Sequence, residues 1–188
     1  MRIVLPASEE FWSDFEHASI RFYRRESLCD LDIPENEKEF LEVVGLPDSA
    51  ATFLCFEKNV NEKLKSVSEI WNLSEEFERY KVIGFNGSGE SIAVDSTNGE
   101  VSYFNHDDGF KKVMMNTSVT CLAECLAKFM WLVIETEKEN GNDAVLNNDF
   151  PKHLQEQFKI ELESIDSKAL EGNTFWNEQI NQMAEGPW

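Results

Sequence analysis

Residues 80–105 read YKVIGFNGSGESIAVDSTNGEVSYFN, and this stretch decides the fold. Tyr80 to Phe85 is rich in β-branched and aromatic residues and reads as a strand. Asn86-Gly87-Ser88-Gly89 reads as a turn, and Ser91 to Val94 as a second strand with Ile92 and Val94 inward. Asn98-Gly99 is a hairpin signal, because both residues tolerate positive φ, and Val101 to Phe104 returns. Connections this short join only antiparallel neighbours, so the stretch is a meander and not a βαβ unit. A short strand near Lys112 to Met115 extends it.

Beyond the meander, Asn116-Thr117-Ser118 is a helix-cap cluster. The following helix, to about Lys138, carries Leu122, Cys125, Leu126, Phe129 and Val133 on one face. Asn140-Gly141-Asn142 stops it, and Asp149 is read as the cap of a helix running to about Leu170. That helix presents Leu154, Phe158, Leu162, Ile165 and Ala169, and Phe175-Trp176 to Met183 reads as a short docking helix.

Before the meander, Ala51 to Glu57 is apolar on both parities, which predicts a central strand covered on both faces. Val67 to Leu73 is ambiguous and compatible with another strand, and Glu75 to Arg79 with a helical turn. Pro34 opens a helix from Glu35 to Val44 that Gly45 ends, after a polar connection over 26–36. Ser8 with Glu9 and Glu10 starts an expected helix over 8–25, with Phe11, Phe15, Ala18 and Phe22 as its stripe and Arg21, Arg24 and Arg25 at its end.

The chain has 188 residues, enough for one domain with elaborations. Hydrophobic residues make up 41% of it, enough for a core, so wholesale disorder is excluded. The net charge is −19, spread as −7 over residues 1–50, −4 over 51–134 and −8 over 135–188, which places the expected core in the middle. Such a chain is repelled by phosphate backbones and by anionic lipid, so direct nucleic-acid binding and membrane binding are not expected. The N-terminus turns acidic at once and Phe129 to Ile134 is the longest apolar run, so the expectation is a soluble, cytosolic protein.

Candidate chemistry is sparse. GFNGSG, at 84–89, precedes a strand and Glu90 where a phosphate loop needs a helix and a lysine. Ser88 fails the nucleophile-elbow spacing because position 86 is Asn. Asp95, His106, Asp107 and Asp108, expected around one end of the meander, could hold a divalent cation, but HDDG is also ordinary loop composition. Cys121 and Cys125 share a helical face without the partners a metal site needs and read as packed thiols. No catalytic residue, metal site or cofactor is therefore assigned. The acids Glu57, Glu62, Glu90, Asp107 and Asp108 fall in loops or strand ends around the sheet, and they are the candidate contact surface for a basic partner protein.

GLP at 45–47, KVIGFNGSGESIAVDSTNGEVSYFNHDD at 81–108 and MNTSVTCLAECLAKF at 115–129 together resemble the SUKH superfamily, most closely its immunity-protein branches. The resemblance covers roughly half the chain. It implies an α+β fold, a central, mostly antiparallel sheet packed by helices, with extra N- and C-terminal helices, and no catalysis. It implies turn roles for Gly84 and Gly89, a strand end at Asp95 and a helix cap at Asn116. On this reading residues 1–188 form a single domain with its core over about 36–135, and the helices at 8–25 and 150–184 are elaborations. The implied function is a cytosolic immunity protein, monomer or weak dimer, that binds and neutralises a cognate toxin, expected to be a basic nuclease. The alternative is a non-enzymatic intracellular regulator or scaffold with an endogenous partner.

Overall fold

The computed structural model describes residues 5–15, 18–51, 53–56 and 63–187. Six strands form one antiparallel sheet whose spatial order is the order of the sequence. In chain order the elements are α1 (Ser8–Phe11), β1 (Ile20–Arg21), α2 (Glu35–Val43), β2 (Leu46–Pro47), β3 (Ser49–Ala50) and β4 (Leu54–Phe56). Then come α3 (Val67–Trp71), β5 (Tyr80–Phe85), β6 (Ser91–Asp95), β7 (Val101–Asn105), β8 (Lys111–Asn116), α4 (Val119–Asn140), α5 (Lys152–Asp166) and α6 (Phe175–Ala184). The large sheet is β3-β4-β5-β6-β7-β8, and β1 pairs separately with β2. The fold is α+β, as the meander and the helical periodicities predict.

The sheet separates two cores of unequal size. Ile83, Ile92, Val94, Val101 and Met115 point to the larger side, against Leu122, Leu126 and Phe129 of α4, Phe158 and Leu162 of α5, and Trp176 of α6. Val82, Ala93 and Phe104 point the other way, under Val67 and the partly buried Trp71 and Phe77. Period-2 alternation thus buries both faces of the middle strands, and all five residues of β6 are buried. The expectation that the core lies only in the middle of the chain is too narrow, because α5 and α6 fill one side of it. Phe175 and Trp176 close over this core, with Trp176 fully buried.

The beginning of α4 ties four elements together. Ser118 caps it by accepting from the Cys121 N–H at 3.1 Å. Its first turn carries no acidic residue, and the carboxylates that complement the helix dipole come from elsewhere. Glu37 of α2 accepts from Thr120 N at 2.9 Å and from Thr120 Oγ1 at 3.0 Å. Asp166, the last residue of α5, accepts from Thr117 N at 2.7 Å and from Asn116 Nδ2 at 3.2 Å. Asn116 is not the cap: it ends β8, fully buried, and its Oδ1 accepts from Trp176 Nε1 at 2.8 Å.

Several expectations are corrected. The helix over 8–25 stops at Phe11, and the chain turns into β1. Tertiary bonds override the apolar stripe: Ser8 Oγ donates to the Val44 carbonyl at 2.7 Å, Ser19 N donates to Asp48 Oδ1 at 3.0 Å, and Arg21 pairs with Asp48 at 2.9 Å. The connection over 26–36 is not merely polar, since Leu28, Leu31 and Ile33 are buried. Val67 to Leu73 is helical at its start, because Ser66 and Glu69 form a capping box. β4 is neither central nor covered on both faces: it lies next to the edge strand, with Leu54 and Phe56 buried but Phe53 and Cys55 exposed. Asp149 does not cap α5, which begins after Pro151. Only Gly99 of the Asn98-Gly99 pair takes positive φ, in a longer loop closed by Gly99 N donating to the Asp95 carbonyl at 2.9 Å. Gly84 lies within β5 rather than in a turn, and a Cβ there would meet the Cys55 carbonyl oxygen at 2.4 Å, so this glycine lets β4 approach.

Candidate functional site

The antiparallel registers bring three hairpin tips to one end of the sheet. They are the β3–β4 tip, with Ala51 and Phe53, the β5–β6 tip at 86–90 and the β7–β8 tip at 106–110. Asn86 shapes the middle tip. Its Oδ1 accepts from Ser88 N at 3.1 Å and Glu90 N at 3.0 Å, and its Nδ2 donates to Glu90 Oε2 at 2.5 Å. Ser88 is therefore a turn residue, its backbone engaged by Asn86. The third tip is a single 3-10 turn in which Asn105 Oδ1 accepts from Asp108 N at 3.0 Å and Gly109 takes φ 63°.

The predicted acids separate on inspection. Glu90 is 6% exposed, so its carboxylate supports the tip and is not offered to a partner. Asp107 and Asp108 are on the surface of the same end, with side chains 87% and 66% exposed. Lys111 Nζ stands 3.7 Å from the Asp108 carboxylate. Glu57 and Glu62 lie outside the described residues.

His106 packs between these groups. Its ring stacks on Trp71 at 5.5 Å with an interplanar angle of 13°, and Trp71 Nε1 donates to Ser91 Oγ at 2.8 Å. Its Nδ1 lies 4.0 Å from Glu90 Oε1 and has no hydrogen-bond partner among the described residues. Asp95 is not part of this group. It ends β6 at the opposite end of the meander, where Arg79 pairs with it and Thr97 donates to its Oδ1 through both N–H (3.0 Å) and Oγ1 (2.7 Å). The expected cluster of Asp95 with His106, Asp107 and Asp108 is therefore split by the length of the strands. Among the described residues no group of three or more His, Cys, Asp or Glu side chains is placed to hold a metal ion.

The cysteines are reduced, and their environments set their reactivity. Cys125, on the buried face of α4, accepts from Asn116 Nδ2 at 3.4 Å, and burial pushes its pKa up to about 12. Burial also raises Cys121, whereas Cys29 and Cys55 are exposed. Tyr103 is likewise raised to about 12, first by burial and then by the Glu178 and Glu90 carboxylates. A thiol held neutral is a poor nucleophile, so the α4 pair has a packing role.

Sequence reasoning missed an apolar groove of about 1410 Å³ beside the edge strand β3. Phe15, Leu54, Phe129, Met130, Val133 and Phe150 form much of its wall, and Phe53, 76% exposed, stands at its rim. The residues that build it come from the N-terminal segment, the β3–β4 hairpin, the β5–β6 tip, α4, the loop after α4 and α6, so no local pattern announces it. The one available signal was Phe53, an aromatic in a short turn.

One end of the sheet thus carries two exposed acids, a buried supporting carboxylate and an apolar groove. No described helix is long and apolar enough to cross a membrane. No curated protein and no solved structure matches the chain. A family model, that of the SUKH-4 immunity proteins, matches residues 15–182. The match takes in α4 to α6 as well as the meander, and the chain belongs to the SUKH-4 immunity protein family.

Proposed function

We propose that this chain is a cytosolic immunity protein that acts as one unit, binding a cognate toxin domain and blocking its active site. The family match over residues 15–182 carries this reading. The toxin it fits best is a basic nuclease. An enzyme that holds nucleic acid needs a basic surface. A chain of net charge −19 docks on that same surface and gains association rate from electrostatic steering. Asp107 and Asp108 are the acids of the meander positioned to take part, and they act at the rim.

The test is co-expression. Domains encoded at the 3′ ends of reading frames upstream of this gene are expressed in a host with and without the chain. Growth rescued by the chain, with a complex of defined stoichiometry in calorimetry, is the expected result. If no such domain is neutralised, the immunity reading fails. If one is neutralised but its association rate does not fall as salt rises, the electrostatic mechanism fails while immunity stands.

A further inference from the structure

We propose that the groove beside β3 seats an apolar side-chain cluster carried on a basic segment of the partner protein, with Phe53 as a contact at its rim. The proposal rests on the immunity reading and names the surface through which it works.

Phe53 is the first observation. It adopts φ 61° and leaves its ring 76% exposed. The left-handed region costs a bulky side chain about 1 kcal/mol or more, and an exposed ring returns little to folding. Glycine or asparagine would make this turn more easily. The neighbouring tip accommodates the ring, since a Cβ on Gly87 would stand 2.8 Å from the Phe53 Cβ. The fold thus holds an aromatic outward at a cost, beside a groove walled by Phe129, Met130 and Val133. Aromatic side chains that a partner buries completely are frequent anchors of protein interfaces.

Charge selects the occupant. Among the described residues, the charged side chains lining the groove are Asp14, Glu137 and Lys138. Lys138 is held by Glu135 at 2.7 Å, and neither Asp14 nor Glu137 enters an ion pair among the described residues. A second copy would bring another −19 against this face, and an anionic lipid or an acidic peptide would meet the same repulsion. An apolar cluster flanked by lysine or arginine meets none.

The probe is an amphipathic helical peptide of leucine and lysine about five turns long, with its leucine–glutamate counterpart as the control. Binding is followed by calorimetry on the full chain. The leucine–lysine peptide is expected to bind one to one, at least roughly tenfold more tightly than the control. Phe53→Asp is expected to weaken it roughly tenfold, and Leu146→Asp, at the far lip, to do the same. The added carboxylate separates the explanations, because attraction to net charge alone would make both variants bind more tightly. Aspartate tolerates φ 61°, so Phe53→Asp retains the fold, which circular dichroism checks. Equal or tighter binding by both variants, equal binding of the glutamate peptide, or a dimer of the free chain that Phe53→Asp dissociates would each overturn the proposal. With a toxin in hand, undiminished affinity of Phe53→Asp for it would overturn the groove and leave immunity standing. A failure to find any toxin would remove the immunity reading and leave the peptide result to decide the groove.

Discussion

Glu37 of α2 grips Thr120 at the start of α4 with both carboxylate oxygens, at 2.9 Å to the backbone nitrogen and 3.0 Å to the hydroxyl. The two residues are 83 apart in sequence. One buried side chain thereby supplies the negative charge that the first turn of α4 lacks, and it fixes the N-terminal third of the chain to the longest helix. Glu37→Ala is expected to cost about 1–2 kcal/mol, since it leaves an N–H and a hydroxyl unpaired in a half-buried place. Glu37→Gln keeps an acceptor but loses the charge and should cost about 1 kcal/mol. Urea unfolding of the three proteins measures both differences, and equal midpoints would show that the contact contributes nothing.

Trp176 and Asp166 meet through Asn116, which donates to one and accepts from the other. Trp176→Phe keeps most of the ring volume and removes the donor, so about 1–2 kcal/mol should be lost. Asp166→Ala strands Thr117 N–H and leaves Asn116 Nδ2 only the weak Cys125 sulfur acceptor, and it should cost about 2 kcal/mol. The two losses should be non-additive in a double-mutant cycle, because the residues share Asn116. Strict additivity would mean that the three groups do not act as a network.

The strain at Phe53 predicts a gain. Phe53→Gly should raise the unfolding free energy by up to about 1 kcal/mol, or leave it unchanged, despite removing an aromatic ring. Gly87→Ala should lower it, because the new methyl group meets Phe53, and should cost less in the Phe53→Gly background. Thermal melts of the four proteins read this coupling. A clear loss in Phe53→Gly alone would place the ring among the groups that hold the fold.

Thiol reactivity should divide the cysteines. Ellman's reagent should modify Cys29 and Cys55 promptly in the folded protein, Cys121 slowly, and Cys125 only on unfolding. The same burial has a pH signature. Cys125 is raised from 9.0 to about 12 in the folded state, so above pH 9 the unfolded chain holds fewer protons. Its contribution is complete below that pH and is lost as pH rises toward about 12. Stability should fall by on the order of 2 kcal/mol between pH 9 and 11 on this account. Tyr103, also raised to about 12 but only half-buried, adds a smaller loss of the same sign. Cys125→Ala should flatten the profile, and an unchanged slope would assign the effect elsewhere.

Asp107→Asn with Asp108→Asn should slow association with a basic toxin by about two- to fivefold at low salt and leave dissociation unchanged, as rim charges do. Glu90→Gln should instead lower thermal stability, because that carboxylate supports the tip from inside. Stopped-flow association across a salt series separates the two. A slower association in Glu90→Gln, with Asp107→Asn/Asp108→Asn unaffected, would reverse the assignment.

The meander was legible because its information is local: alternation from Tyr80 to Phe104 and turn residues between. The long helix α4 was legible for the same reason, through its apolar face and Ser118. The N-terminal segment was not, because Phe11, Phe15, Ala18 and Phe22 satisfy a helical stripe while Asp48 and Val44, far along the chain, hold it in another path. Asn116 shows the same limit at one residue. Its neighbours make it look like a cap, and only the arrival of Trp176 and Asp166 reveals its role. At the candidate site, sequence could place acids near turns but not tell Glu90, which is buried, from Asp107, which is not. The groove is built from six separate segments, and Phe53 was its one signal in the sequence.

The order of the large sheet, in which each strand bonds only to its neighbours along the chain, bears on how this protein can change over generations. A residue gained or lost at one hairpin tip leaves every other register intact, since no later strand must thread between earlier ones. The β3–β4, β5–β6 and β7–β8 tips are thus three independently editable surfaces carried side by side on one frame. Such a scaffold can diversify its outward face by small insertions, one tip at a time, without refounding its interior.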